Sequence, residues 1–167
     1  RELAEGEKVN ILVNNAGVYS DKGMTETTSD DIRQIIEVNL IAPMLLTKAL
    51  WSILMSRSGT VVNINSVAGR ISAGKELAYR SSKHGLSGFS RTLFYEGKQD
   101  GVRIIDIPFG GVNTDMLKHR PGRGDEPQQG PIAADLIIQI LESSTSHKIK
   151  HFLLAGEIID TRSMSEL

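Results

Sequence analysis

Several residue types and patterns that decide the class of a protein are missing from these 167 residues. The chain has no cysteine, which excludes disulfide bonds, thiol catalysis and cysteine-ligated metal sites. Its 19 Lys and Arg residues balance 20 Asp and Glu residues, whereas a nucleic-acid-binding surface needs clustered positive charge. The longest apolar run, residues 40–46, is far too short to cross a bilayer. We therefore expect no nucleic-acid partner and no membrane partner.

The beginning of the chain also lacks familiar features. It reads Arg-Glu-Leu-Ala-Glu-Gly-Glu-Lys, with neither Met nor the basic and apolar regions of a signal peptide. No Asn-x-Ser/Thr glycosylation site occurs. We predict a cytoplasmic protein. Because the first residues are typical of the end of a helix, we also expect further residues upstream.

Apolar patterning predicts strands that alternate with helices. Short apolar runs predict strands over residues 9–13, 60–65, 102–107 and 151–159. Helical spacing predicts helices from Ser29 to Gly59, from Leu77 to Gly97 and from Ile132 to Glu142, with Thr28 and Asp31 as a capping pair. This alternation indicates an α/β fold, a doubly wound parallel sheet with helices on both faces. We expect residues 1–167 to form a single domain, with residues 115–131 as a substrate lid rich in Pro, Gly and Gln.

Polar and glycine residues follow three of the predicted strands. These are Asn14–Gly17, Ser66 and Gly110–Thr114. In open parallel sheets, ligands bind outside the carboxyl ends of the strands. We therefore expect the three segments to converge on one site.

Tyr79 and Lys83 are four residues apart in a predicted helix, so their side chains share a face. Free tyrosine has a pKa of about 10, and a neighbouring ammonium lowers it towards useful proton transfer. Taken by itself, the pair is equally typical of a packed tyrosine beside a solvated lysine. Ser66 lies 13 residues before Tyr79, and Asn39 lies in the preceding predicted helix.

These residues together resemble the classical short-chain dehydrogenase/reductase family. The pattern Asn14-Asn15-Ala16-Gly17, then Asn39, Ser66 and Tyr79-x-x-x-Lys83, follows the family's order and spacing across essentially the whole chain. The resemblance implies a Rossmann-like fold, of which this chain holds the C-terminal two-thirds. It also implies an NAD(P)-dependent oxidoreductase that interconverts a small-molecule carbonyl and a secondary alcohol. The alternatives are a catalytically silent binding or scaffolding relative, or a fragment that binds no cofactor.

The resemblance also implies a role for each residue. Tyr79 is the acid–base group, Lys83 lowers its pKa, Ser66 polarises the carbonyl, and Asn39 maintains a water relay to Lys83. The residues expected to contact the cofactor are Asn15, Ala16, Gly17, Tyr79, Lys83, Val112 and Thr114. No glycine-rich phosphate loop occurs in the chain, so the choice between NAD and NADP is left open. The Pro108-Phe109-Gly110-Gly111 segment is one residue longer than the family pattern.

Three further expectations concern Pro43, metals and association. Pro43 has no N–H to donate to the Asn39 carbonyl, so either it frees that carbonyl beside the site or it merely bends the helix. His147 and His151 lack a third ligand, and we expect no metal site. Gly85 and Gly88 leave a flat surface on their helix, which is typical either of close helix packing or of an ordinary surface helix. The family resemblance implies a homodimer or homotetramer through the helices at 29–56 and 77–97.

Overall fold

A computed structural model describes residues 9–114, Met116 and residues 128–142, and the fold is built on three parallel strands. These are β1 (Ile11–Asn14), β2 (Thr60–Ser66) and β3 (Arg103–Phe109). They lie side by side in the order β1-β2-β3, and all pairs are parallel. The register places Asn14 opposite Asn63 and Ser66 opposite Phe109. The predicted parallel α/β sheet is confirmed for these strands.

Long helices connect the strands. In chain order they are α1 (Ser29–Ile36), a π-helical turn (Glu37–Ile41), α2 (Ala42–Ser56), a 3-10 turn (Val67–Gly69), α3 (Leu77–Asp100) and α4 (Gly130–Glu142). The predicted cap is present at the start of α1. The Thr28 hydroxyl accepts from the Asp31 N–H, and the Asp31 carboxylate accepts from the Thr28 N–H.

The helices cover both faces of the sheet, as predicted. On one face, α2 and α3 pack on β2 and β3 through a buried cluster of Leu50, Leu54, Val61, Leu93, Val102 and Ile104. On the other face, α4 packs on alternate residues of the same strands, in a cluster of Val62, Ile105, Ile107, Phe109, Ala133 and Ile140. Alternation along a strand sends successive side chains to opposite faces, which explains why Val61 and Val62 belong to different clusters.

The structure corrects several predicted boundaries. β3 does not stop at Pro108 but continues to Phe109, in a strand with one neighbour among the described residues, where the missing N–H of proline is tolerated. The single helix predicted from Ser29 is interrupted by the π turn immediately before Pro43. A second small sheet was not predicted: β4 (Val112–Asn113) pairs in parallel with β5 (Gln128–Gln129).

Part of the predicted lid and the last predicted strand lie beyond the described residues. Within residues 115–131, the structure describes Met116, the strand β5 and the first two residues of α4, which therefore begins two residues earlier than the predicted Ile132. The predicted strand 151–159 and the pair His147 and His151 lie outside the described residues. The lid remains a prediction.

The outer face of α1 and α2 is more apolar than predicted. Ile32, Ile35, Leu46, Leu50 and Leu54 have the spacing of one apolar helix face, which predicts that all of them are buried. Ile35, Leu50 and Leu54 are buried, but Ile32 is exposed and Leu46 is 52% exposed, so these two do not face the core. The stretch Ser29–Ser56 is, within the described part of the chain, the one helix long and apolar enough to cross a membrane, and 28% of its most apolar window is buried. A core helix meets the same criterion, so the expected absence of a membrane partner remains a prediction.

Two apolar side chains of β1 are open to solvent. Ile11 and Val13 are 47% and 44% exposed, and they point to the face on which Val62 is covered by α4. Within the described residues, β1 is also an edge of the sheet. This part of the chain therefore presents both an open strand edge and an apolar face.

Candidate active site

Ser66 is placed at the carboxyl end of β2, where the chain turns into the short 3-10 helix. Its side chain is buried, and its hydroxyl oxygen accepts the N–H of Ala68 at 3.1 Å. The turn lies directly against α3, because a Cβ on Gly69 would come within 2.5 Å of the Lys83 carbonyl oxygen. Only glycine permits this close approach. The packing holds Ser66 close to the segment of α3 that carries Tyr79 and Lys83.

Tyr79 and Lys83 face inward from the first two turns of α3. Tyr79 is 7% exposed and Lys83 is 6% exposed, so neither is the solvated surface residue that the pair alone could have indicated. The Lys83 ammonium lies 6.0 Å from the centre of the Tyr79 ring. The same ammonium donates a hydrogen bond of 3.1 Å to the carbonyl oxygen of Ile64 in β2. The structure therefore brings the predicted tyrosine and lysine together in a buried site.

The environment of Lys83 is unusual for a lysine. Burial lowers its pKa from the ordinary 10.5 to about 8, while the negative charge of Asp106 acts in the opposite direction. Asp106 is itself buried, and it accepts hydrogen bonds from Asn65 at 3.0 Å and Ser90 at 3.2 Å. Arg70 pairs with it at 3.4 Å. A lysine with a pKa near 8 remains mostly protonated at neutral pH.

Asn39 lies in the π turn and anchors the loop that follows β1. Its amide oxygen accepts the N–H of Val18 at 2.8 Å, and its amide nitrogen donates to the Val18 carbonyl at 2.9 Å and to Ser82 at 3.0 Å. The side chain is fully buried. The π turn places it there, since the N–H of Ala42 bonds to the carbonyl of Glu37, five residues earlier. Asn39 thus fixes the loop after β1 relative to α3.

The loop after β1 leaves a cradle at Gly17. A Cβ at Gly17 would lie 3.4 Å from the amide oxygen of Asn39, 4.0 Å from the Lys83 ammonium and 3.9 Å from the terminal methyl of Met116. Asn15 and Ala16, just before it, are exposed at the end of β1. The absence of a side chain at Gly17 thus leaves room for a ligand next to the ammonium. The Lys83 ammonium there is the type of donor that ribose hydroxyls accept from, and the predicted cofactor contacts of Asn15, Ala16 and Gly17 remain predictions.

Val112 and Thr114 are less closely joined to this cradle. Val112 lies in β4, half-buried against the cluster beneath α4. Thr114 is exposed, and its hydroxyl donates to the carbonyl of Val112 at 3.4 Å. Met116, two residues later, brings the same segment back to Gly17. The predicted contacts of Val112 and Thr114 with a nicotinamide remain predictions.

The structure adds residues that the sequence had not singled out for the site. Tyr19 packs edge-to-face on Tyr79, with ring centres 5.0 Å apart, and its hydroxyl donates to Glu76 at 2.7 Å. Glu76 also pairs with Arg80 at 2.6 Å. The charged residue directly after Tyr79 was the one available signal for this cluster in the sequence. Asn14 has a structural role, because its amide donates to Asn63 in β2 at 2.8 Å.

Two predictions concern metal ions and a flat helix surface. Among the residues that the structure describes, no group of three His, Asp or Glu side chains could hold a metal ion.

Gly85 is packed against Leu40, because a Cβ there would meet the Leu40 side chain at 2.7 Å. A Cβ at Gly88 would meet nothing within 4 Å. Of the two glycines, only Gly88 contributes to an open surface.

Comparison with known proteins decides the family. A family model described as short chain dehydrogenase matches residues 2–123. The chain belongs to the short-chain dehydrogenase family.

Solved relatives show that its sheet is part of the Rossmann fold of that family. One, a short-chain dehydrogenase from Streptomyces avermitilis, is 25% identical, has a TM-score of 0.80 and covers 95% of this chain and 66% of its own. Another, 4-hydroxyisoleucine dehydrogenase complexed with NADH, is 26% identical and has a TM-score of 0.76. The match covers 89% of this chain and 68% of the dehydrogenase.

Curated short-chain dehydrogenases are similar in sequence. The chain is 35% identical over 116 residues to the 3-oxoacyl-[acyl-carrier-protein] reductase FabG of Escherichia coli, covering 69% of this chain and 48% of FabG. It is 34% identical over 111 residues to the 3-oxoacyl-[acyl-carrier-protein] reductase of Rattus norvegicus, covering 66% of this chain and 47% of that reductase. It is 37% identical over 109 residues to carbonyl reductase family member 4 of Xenopus tropicalis, covering 65% of this chain and 46% of that protein. The chain spans about half the length of these relatives.

Proposed function

We propose that this chain carries the catalytic part of an oxidoreductase that interconverts a carbonyl and a secondary alcohol with NAD or NADP. The observation that carries the proposal is the buried pair of Tyr79 and Lys83, 6.0 Å from ring centre to ammonium, next to the cradle at Gly17. A buried ammonium beside a phenol favours the phenolate and brings the proton transfer of tyrosine towards neutral pH. Membership of the short-chain dehydrogenase family supports the same chemistry.

The cofactor would be held by the residues around the cradle. Asn15, Ala16 and Gly17 would contact it from the loop after β1, and Tyr79 and Lys83 from α3, with Val112 and Thr114 assigned to the nicotinamide end. When bound, the nicotinamide supplies or accepts the hydride. At near-neutral pH the protonated ammonium of Lys83 offers hydrogen bonds to ribose hydroxyls.

The substrate oxygen would lie between Tyr79 and Ser66. The Ser66 oxygen already accepts the N–H of Ala68, so its own hydrogen is available to donate to a substrate carbonyl. This hydrogen bond polarises the carbonyl and stabilises the alkoxide that develops on its oxygen. During reduction, the Tyr79 hydroxyl gives its proton to that oxygen, and during oxidation the phenolate takes it back. We assign to the Asn39 carbonyl, which has no N–H partner at Pro43, a water that replenishes this proton through Lys83.

The proposal extends to the setting of the enzyme. We propose a cytoplasmic protein that acts on a small molecule and assembles as a homodimer or homotetramer through the helices at 29–56 and 77–97. Support for the assembly comes from the exposed apolar side chains on the outer face of α1 and α2: Ile32, Ile41, Met44, Leu45, Leu46 and Met55.

The decisive experiment is Tyr79→Phe in the full-length protein. The change removes only the hydroxyl, so we expect kcat to fall by at least about 100-fold, in line with the loss of a general acid–base, while the fold is retained. Tyr95→Phe is the matched control, because Tyr95 lies on the same helix with its ring exposed. Turnover is measured by NAD(P)H absorbance over a panel of ketones and secondary alcohols. Wild-type kcat in Tyr79→Phe would disprove the mechanism, and no turnover in the wild type would favour the silent binding relative.

A further inference from the structure

A charged cluster around the buried Glu76, beside Tyr79, has no part in the proposed mechanism. It joins Tyr19 from the loop after β1, Glu76 just before α3, and Arg80 in the first turn of α3. The Tyr19 hydroxyl donates to one carboxylate oxygen of Glu76 at 2.7 Å. The other carboxylate oxygen of Glu76 lies 2.6 Å from the Arg80 guanidinium. Arg80 in turn donates to the carbonyl of Ile71, at 2.7 Å, in the loop after β2.

The cluster is held at an energetic cost. Glu76 is 6% exposed, and removing a carboxylate from water is unfavourable unless its partners are well placed. The backbone is also unusual here, because Lys75 and Glu76 both have left-handed conformations, with φ of 65° and 57°. Non-glycine residues are strained in this region, because their Cβ crowds the neighbouring backbone. Such strain persists only where the surroundings dictate it, and it is concentrated at functional sites.

The geometry indicates what the cluster holds in place. The Tyr19 ring meets the Tyr79 ring edge-to-face, at 5.0 Å and 75°. On α3 itself, Lys83 approaches the Tyr79 ring at 6.0 Å. Tyr19 follows Val18, whose backbone is bonded to Asn39. The backbone before Tyr19 and the hydroxyl at the end of its side chain are both fixed, so its ring is a rigid support for Tyr79.

We propose that Tyr19 is a positioning residue that holds the Tyr79 ring in the orientation for proton transfer, and that Glu76 and Arg80 hold Tyr19. The proposal rests on the proposed function, in which Tyr79 is the acid–base group. Edge-to-face aromatic pairs prefer one relative orientation, so the fixed Tyr19 ring restricts rotation of its partner. A displacement of about 1 Å at a reacting group can cost about 100-fold in rate.

The test compares kcat and KM for variants of the full-length protein. Tyr19→Leu removes the ring, and we expect kcat to fall by about 10- to 100-fold with KM changed less than about threefold, because orientation and not binding is lost. Tyr19→Phe keeps the ring and loses the bond to Glu76, so we expect it to recover most of the lost rate. Tyr95→Leu is the matched control, since Tyr95 forms a similar edge-to-face pair with Phe94, at 5.6 Å and 86°, on the same helix. It should keep the wild-type kcat.

A spectroscopic measurement accompanies the kinetics. In protein labelled with 13C at the tyrosine ring, the Tyr79 signal is assigned by its loss in Tyr79→Phe. We expect Tyr19→Leu to shift this signal and Tyr95→Leu to leave it in place. If Tyr19→Leu does not fold, Tyr19→Phe and Glu76→Gln decide, and each should lower kcat by about two- to threefold, the loss of about one hydrogen bond.

The outcomes separate the two proposals. Wild-type kcat and an unmoved Tyr79 signal in Tyr19→Leu, with Tyr79→Phe inactive, would overturn the positioning role and leave the proposed function intact. A raised KM with unchanged kcat would overturn it equally, because Tyr19 would then be a substrate contact. Full activity in Tyr79→Phe would overturn both.

Discussion

At the scale of single residues, Lys83 shows what the site costs the fold. With its pKa at about 8 in the folded chain and 10.5 in the unfolded chain, the difference corresponds to about 3 kcal/mol. Below pH 8 both states hold the proton and the full cost is present. Between pH 8 and 10.5 the unfolded chain binds more protons, so the contribution of Lys83 to stability rises with pH.

A prediction about stability follows for Lys83→Met. The free energy of unfolding of the wild type should rise relative to that of Lys83→Met as the pH increases from 8 to 10.5, by up to about 3 kcal/mol. Urea unfolding at several pH values measures this difference, in which the titration of groups that do not interact with Lys83 cancels. Lys48→Met, at an exposed position of α2, is the control and should follow the wild type at every pH. Parallel curves for the wild type and Lys83→Met would contradict the prediction.

Gly17 gives a second residue-scale prediction, on cofactor binding. In Gly17→Ala, the added methyl would lie 3.4–4.0 Å from its nearest neighbours, which is ordinary contact, so the fold should be unaffected. The methyl would however occupy the cradle, and we expect the Kd for NAD(P)H to rise by about tenfold, equivalent to about 1.4 kcal/mol. Gly88→Ala, whose methyl meets nothing within 4 Å, is the matched control. Nucleotide titration of the full-length protein measures both, and an unchanged Kd in Gly17→Ala would place the ribose elsewhere.

The sequence pointed to the candidate catalytic residues more readily than to their surroundings. Tyr79, Lys83, Ser66 and Asn39 match the order and spacing of the short-chain dehydrogenase pattern, so the resemblance alone made them candidates. Tyr19 and Glu76 are 57 residues apart, and only the packing of the loop after β1 against α3 brings them together. Nothing in local spacing indicates such a contact.

At the scale of elements, the π turn combines a helix defect with a site residue. Pro43 removes the N–H that an α-helix needs for the Asn39 carbonyl, and the helix widens by one residue at that point. Sequence reasoning identified Pro43 as a point of irregularity. It did not predict which irregularity would form. A kink, a bend and a π turn can each accommodate the N–H that proline lacks, and only tertiary packing decides between them.

The variant Pro43→Ala tests whether this defect serves the site. The alanine supplies an N–H to the Asn39 carbonyl, so we expect the helix to become regular and its stability to stay equal or to rise by about 1 kcal/mol. Because Asn39 would lose its placement in the π turn, kcat should fall by about tenfold or more. Thermal unfolding and turnover are measured on the same preparation. Unchanged kcat with equal or greater stability would mean that Pro43 only bends the helix around the core.

At the scale of the whole molecule, the order of strands and helices was predictable, because buried parallel strands read as short apolar runs between amphipathic helices. The small sheet of β4 and β5 was not, because two-residue strands carry no periodicity. The exposure of Ile32 and Leu46 was missed for a related reason. Their helical spacing marks an apolar face, but spacing cannot tell whether this chain or another one covers that face.

The last prediction concerns the 167-residue chain purified alone. β1 pairs on one side with β2, and within the described residues its other edge is open, with Ile11 and Val13 exposed beside it. Such edges promote association, so we expect large, concentration-dependent species by light scattering. Val13→Lys should suppress them, because a charge at the edge opposes strand pairing. Leu45→Lys, on the apolar face of α2, should leave these large species unchanged and instead weaken any discrete dimer formed through the helices.

The same purified chain should also fail to bind nucleotide. We expect no measurable NADH or NADPH binding by calorimetry, since the chain has no glycine-rich phosphate loop. A monodisperse monomer with micromolar nucleotide affinity would contradict both expectations, and would mean that neither a further strand beside β1 nor a glycine-rich loop is needed for the site to bind its cofactor.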